Sequence, residues 1–566
     1  MARTAAMFLS CFGPIFAALP SQVGQAPPNF SSRDPKNPCI AEASLTSTSK
    51  TPFDTPILSP KDEKELLTPC SGSVNLEVQA PAPPPHHIFT RARKLEMVWI
   101  VSVAAIFSPL SSNIYFPALT TISKDLHVSI ALTTLTATVY MIVQGLAPSF
   151  WGSLSDVIGR RSVFIRTFLV YIFANILLAE SQNYAMLMVF RALQAAGSAA
   201  TISIGAGVIG DITTSAERGS LVGIFGGVCM LGQGVGPVFG GILSQYLGFR
   251  SIFWALTIAA GISLASIMIL LPETHHAFAG TGQVPLTGIC KPFIYYITGQ
   301  TGAVEGAVPT VERKKVTIGT LFTPLTFLFE KDVFITLFYG AIVYTVWSMV
   351  TSSTSDLFES KYGLNVLEVG LTFLGNGFGC MSGSYSIGYL MDFNHKRTER
   401  EYCQQHNLPL DTRIDSKSHP DFPIEKARMR NSWWITATFI ICVAVYGVSL
   451  EANLAVPITL QYFIAYSSTA IFTLNSALVI DLYPGASASA TAVNNLMRCL
   501  IGAAGVAAVQ PIIDTISAKY CFVLLAGITL AIAPLLLVED KWGAQWRLER
   551  NELLKENEAK KANVAN

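Results

Sequence analysis

Apolar residues come in long runs along this chain, and polar residues gather between them. Runs of about twenty residues begin near positions 97, 131, 163, 184, 220 and 250, and a second set near 333, 366, 431, 455, 485 and 518. Each is about as long as a helix that crosses a ~30 Å hydrocarbon core. In such a core the backbone must bond within its own segment, which favours helices. The pattern predicts an all-α membrane protein of twelve transmembrane helices, arranged as two six-helix halves. Residues 1–94 read as a disordered cytoplasmic tail, 95–272 as the first bundle and 273–330 as a cytoplasmic central loop. Residues 331–538 read as the second bundle, with a charged cytoplasmic loop at 392–430, and 539–566 as a cytoplasmic tail. Within the central loop, GICKPFIYYITGQ is too short to span and reads as an interfacial or local packing segment.

Composition agrees with this pattern. The chain is 51% hydrophobic and only 13% charged, where soluble domains carry about 25% charged residues. Lys and Arg fall mainly on alternate connections: Arg91, Arg93 and Lys94; Arg160 and Arg161; Arg218; Arg313, Lys314 and Lys315; Lys396 to Arg430; and the last thirty residues. That bias places both termini and the central loop in the cytoplasm. A net charge of +1 without a basic stripe gives no footprint for nucleic acid. Ten cysteines without a C-x-x-C pair suggest neither a disulfide framework nor a metal site. The histidine pairs His86–His87 and His275–His276 lack ligand spacing, so no cofactor or metal is expected. The apolar stretch 5–19 has the look of a signal peptide and is read as an extension.

Between spans 2 and 3 lies GSLSDVIGRRS. Gly152 and Gly159 suit a tight turn, and Asp156 is close enough in sequence to pair with Arg160 or Arg161 and to face a helix N-terminus. The spacing G-x-L-x-D-x-x-G-R-R resembles the cytoplasmic signature of the major facilitator superfamily, where the Asp–Arg contact latches the two halves. Val157 stands where the family often has Arg, so the resemblance implies a latch leaning on Arg160 and Arg161. An echo, GYLMD, follows span 8. In span 4, Arg191 and Gln194 share a helix face. R-x-x-Q-x-x-G there resembles the superfamily's second signature, which implies a part in proton coupling.

LGQGVGPVFGG, residues 231–241, sits in span 5. Gly232, Gly236 and Gly240 recur every four residues, as in helices that approach closely, and Pro237 removes a backbone donor and is expected to bend the helix. Gly232 to Gly241 resemble the G-x-x-x-G-P-x-x-G-G signature of drug:proton antiporters, which implies export. In span 11, Asn494 and Arg498 are four apart and therefore predicted on one face. That stretch resembles fungal twelve-span drug:proton antiporters, a group of multidrug, polyamine and citrate exporters.

Arg191 and Arg498 are the deeply placed charges, with no Asp or Glu read at comparable depth. Such a cavity favours an anion, such as citrate or an acidic secondary metabolite. Asn113, Tyr344 and Asn376 are further polar candidates in spans 1, 7 and 8; each also fits helix packing. The reading is a monomeric, multi-pass transporter of a fungal plasma membrane that exports a small organic molecule, implied to be in exchange for protons. Broad multidrug efflux is the alternative. An integral-membrane enzyme would need clustered His, Asp or Cys at one face, which this sequence lacks.

Overall fold

A computed structural model describes residues 89–213, 215–280, 284, 286, 288–298, 328–407, 409, 421–430, 432–482 and 487–565. Of the disordered tail expected over 1–94, residues 1–88, with the apolar stretch 5–19, lie outside them, and 91–94 form the first turn of a helix. Twelve long helices follow one another in the described residues. The first half holds α1 (Arg91–Asn113), α2 (Ile130–Ile158), α3 (Arg160–Ala179), α4 (Tyr184–Ile212), α5 (Ser215–Leu247) and α6 (Arg250–Leu270). The second holds α7 (Lys331–Tyr362), α8 (Val366–Gln405), α9 (Ser432–Ser449) and α10 (Ala455–Leu482). The helix Ser487–Ile532 leaves helical geometry at Ser517, whose φ is 69°. It therefore counts as α11 (487–516) and α12 (518–532). A further helix, α13 (Leu535–Ala565), closes the chain.

Local chemistry sets several of these boundaries. Thr90, Ser129 and Asn183 each accept a backbone N–H three residues on, as N-caps do. Asn365 and Glu368 form a reciprocal capping box at the start of α8. Gly363, in the left-handed region at φ 62°, ends α7. Ten stretches are long and apolar enough to cross a membrane, and one of them, Thr491–Leu553, contains both α11 and α12. α8 is long enough, but glycine, serine and charge dilute its apolar content.

One expectation changes, and two gain detail. The charged loop expected at 392–430 is helical through Gln405, because α8 continues on i,i+4 pairs such as Arg397–Glu401 at 3.2 Å. Part of its remainder, Ile424–Met429, is a short helix. The C-terminal tail is helical. The described parts of the central loop fold back on the first half: Phe293 N–H donates to the Met268 carbonyl and Glu273 N–H to that of Cys290. Phe293, Tyr296 and Ile297 stay exposed, the composition of a segment lying at a bilayer surface.

Within the first half α1 packs on α5, and α3 on α4 and α6; within the second, α8 packs on α10, α7 on α11, and α9 on α10 and α12. The halves meet along two seams, α2 against α11 and α5 against α8.

Candidate functional site

The glycines of α5 make two of these contacts possible. A Cβ at Gly232, Gly236 or Gly240 would lie 2.9, 3.2 or 2.0 Å from backbone atoms of α1 or its cap residue Ile114. Gly234 and Gly241 turn to the opposite side, where they meet Gly377 and Gly370 of α8. The helix is continuous through Pro237, whose carbonyl faces Gly370. The motif thus packs α5 within its own half and against the other. The four-residue spacing points only to the first ridge.

At the end of the bundle that holds Lys124 and Glu359 the halves are pinned together. Lys124 Nζ pairs with Glu359 at 2.5 Å, Ser355 Oγ donates to the Phe116 carbonyl at 2.8 Å, and the rings of Phe116 and Phe373 stack. Nearer the middle, Asn495 donates to the Gln144 carbonyl at 3.1 Å. At the opposite end the described ion pairs join groups of one half: Asp156 and Asp211 with Arg160, and Asp481 with Arg428.

Asp156 bonds Arg160 at 2.6 Å, inside the first half. Arg161 points away from it. Its guanidinium donates to the carbonyls of Ile267, Met268 and Leu271 at the end of α6 and to Ile289 and Lys291 of the loop. In the described state Arg161 is therefore a cap on α6, where the helix dipole favours a cation, and not a partner of Asp156. The carboxylate at the N-terminus of α3 is Glu273, which accepts the N–H groups of Arg160 and Arg161. Burial pushes the Glu273 carboxyl up, while these and two further backbone donors, Thr274 and His275, oppose the shift. Gly159, at φ 94°, is required here, since its Cβ would lie 2.4 Å from Glu273 Oε2. Gly152 is less constrained, with the Ser203 hydroxyl 4.0 Å from its would-be Cβ.

Arg191 lies in α4, 1% exposed. Its guanidinium carbon sits 4.0 Å from the Tyr115 ring centroid and 4.4 Å from that of Tyr140. Nη1 donates to Gln194 Oε1 and weakly to the Ser111 carbonyl, and Gln194 in turn donates to Asn175 at 2.7 Å. Arg498 lies in α11 between the rings of Tyr344 and Phe472, 4.6 Å from each. Among the described residues no carboxylate pairs with either arginine. Nε and Nη2 of Arg191 and Nε of Arg498 are buried without a hydrogen-bond partner.

The other expected residues divide. Tyr344 belongs to the Arg498 box, and Asn376 of α8 accepts from Trp347 Nε1 of α7 at 2.8 Å. Asn494 does not face Arg498: it donates to Ser476 of α10, and its neighbour Asn495 accepts from Arg498 Nη2 at 2.6 Å. Asn113 donates to its own helix, at the Pro109 carbonyl, and packs beside Gly236. The sequence reading also missed Asp356 of α7, which shares the Gln510 amide with Asp514 of α11 at 3.2 Å each.

Buried guanidiniums held between aromatic faces, with donors left over, can donate to anionic oxygens. A two-half bundle pinned shut at one end, with such groups buried inside it, defines a membrane transporter of small molecules. The chain belongs to the major facilitator superfamily, whose family description matches residues 101–399. It is 69% identical to Citrate exporter 1 of Aspergillus niger over 519 residues, 91% of this chain and 99% of that protein. It is 32% identical to the MFS antiporter QDR2 of Candida albicans over 452 residues, 78% of this chain and 87% of that protein. The fold also matches the human organic anion transporter MFSD10 at a TM-score of 0.50 and 15% identity, over 78% of this chain and 99% of that one.

Proposed function

We propose that this protein exports citrate, or a closely related small carboxylate, from the cytoplasm across the plasma membrane by alternating access. The observation that carries the reading is the pair of buried guanidiniums, Arg191 and Arg498, each boxed by aromatic rings and unpaired by any described carboxylate. An unpaired buried charge is costly, and a multivalent anion supplies the missing countercharge. Each half contributes one arginine, so a single chain makes a whole site, as a monomer requires. The 69% identity to a citrate exporter supports the same substrate class.

Protons are the coupling ion in this reading. Asp356 and Asp514, joined by Gln510 near the outer ends of α7 and α11, are the carboxylates proposed to carry them. The membrane potential adds to the drive: each charge moved through 100 mV is worth about 2.3 kcal/mol, so a negative-inside cell favours anion exit. Arg160 with Asp156 is proposed to form the cytoplasmic latch in the opposite state, when the inner ends of the halves close.

The test is export of labelled citrate from cells lacking their own exporter. Cells expressing this chain should release it, and Arg191→Ala or Arg498→Ala, at equal surface level, should not. Altered tolerance to cationic drugs without citrate release would favour multidrug efflux instead.

A further inference from the structure

The cytoplasmic base of the second half contains a buried charge cluster that the transport site does not use. Helix α13 carries Arg547 and Arg550 into it. Arg550 Nη1 donates to both oxygens of Asp332, at 2.8 and 2.6 Å, where α7 begins. Arg547 donates to Glu425 at 2.7 and 3.3 Å and to the Phe422 carbonyl at 2.8 Å, at the short helix that leads into α9. Asp332, Glu425, Arg547 and Arg550 are all buried. Two carboxylates against two guanidiniums would balance.

A third acid breaks that balance. Glu539 of α13 is 1% exposed, and neither of its oxygens has a hydrogen-bond partner. The Thr336 hydroxyl of α7 is likewise buried without a partner. Gly543 gives the acid its room, since a Cβ there would lie 2.9 Å from Glu539 Oε1. With all three acids ionised, the cluster would hold one excess negative charge away from water, an expensive arrangement. A proton on Glu539 removes that charge and supplies a donor.

We propose that Glu539 is a proton-operated clamp: protonated, it lets α13 dock on the starts of α7 and of the helix before α9; deprotonated, it loosens that docking and slows export. Glu539 follows Val538, where the apolar run that begins near 518 ends, and it opens the charged stretch of the C-terminal helix. Burial first, then the charges of Asp332 and Glu425, push its carboxyl up to about 8, against the opposing charge of Arg550. In an undocked helix the same group would titrate near 4.5. The docked state therefore holds its proton through a window in which the undocked state has lost it. Docking is tightest below the lower value, weakens about tenfold per pH unit as pH rises between the two, and levels off above the upper one. Because α7 also carries Tyr344 beneath Arg498, a loosened start of α7 bears on the site. That last step rests on the export reading above; the docking does not.

The experiment is hydrogen exchange of the full-length protein in detergent at pH 6, 7 and 8, corrected for intrinsic exchange rates. Wild-type residues 535–553 should open about tenfold more per pH unit, and Glu539→Gln, which mimics the protonated acid, should stay protected and flat. A flat wild-type profile, or a Gln variant that still titrates, overturns the clamp. In proteoliposomes, the ratio of Glu539→Gln to wild-type citrate efflux should rise several-fold when the cytoplasmic-side pH goes from 6 to 8. A constant ratio overturns the control of transport. If neither protein moves citrate while the exchange profile titrates as stated, the clamp stands and the export reading falls.

Discussion

In Arg191→Met, a side chain of similar length without charge replaces a guanidinium that is 1% exposed and unpaired by any described carboxylate. Burying an ion without a countercharge costs several kcal/mol even after the protein relaxes. Opposing that cost are the faces of Tyr115 and Tyr140, within 4.4 Å of the guanidinium carbon, at up to about 2 kcal/mol each. The charged hydrogen bond to Gln194 adds about 2 kcal/mol. The two sides nearly cancel, so the variant should keep its folding stability to within about 2 kcal/mol while losing transport. Ligand binding gives the second readout. Citrate at a hundred times its dissociation constant should stabilise the wild type by about 2.7 kcal/mol and the variant by almost nothing. Thermal unfolding in detergent, with and without citrate, measures both quantities on one sample. A variant that unfolds far earlier than wild type would make Arg191 a structural residue. One that is still stabilised by citrate would remove it from the site.

Other changes test other joints of the structure. Gly240→Ala places a Cβ 2.0 Å from the Ile114 carbonyl and should lower stability by about 1–3 kcal/mol; an unchanged melting temperature would mean α1 and α5 are not packed this closely. Gly159→Ala should destabilise through its contact with Glu273 Oε2. In a Glu273→Ala background its cost should shrink by about 0.5–3 kcal/mol, because only the strain at φ 94° remains; strict additivity would contradict the contact. Asp356→Asn should flatten the dependence of export on external pH while leaving citrate-induced stabilisation intact, and a wild-type pH profile would take the proton away from Asp356.

The helices were legible because membrane burial demands long apolar runs. The starts expected near 184, 250, 366 and 455 coincide with those of α4, α6, α8 and α10. The two deep arginines were legible for the same reason, since a charge in an apolar run stands out. Their surroundings were not. Asn494 and Asn495 lie four and three residues from Arg498, so helical spacing allows either to reach it; the position of Ser476 on α10 decides for Asn495. The capping of α3 by Glu273 joins groups more than a hundred residues apart, and no local pattern announces it. Arg161 looked like Arg160 in the sequence and differs because the end of α6 presents free carbonyls to it. The helix beyond Asp392 was missed because its charges resemble a loop until they are paired four residues apart.

The most direct test of the central claim uses purified protein in proteoliposomes loaded with labelled citrate, with a pH gradient and a membrane potential imposed separately. Wild-type protein should release citrate, and Arg191→Ala and Arg498→Ala, reconstituted at equal density, should each lower the rate at least a hundredfold, about 2.7 kcal/mol or more. Citrate release at the wild-type rate by either variant, or transport of a cationic drug with no release of citrate, would contradict it.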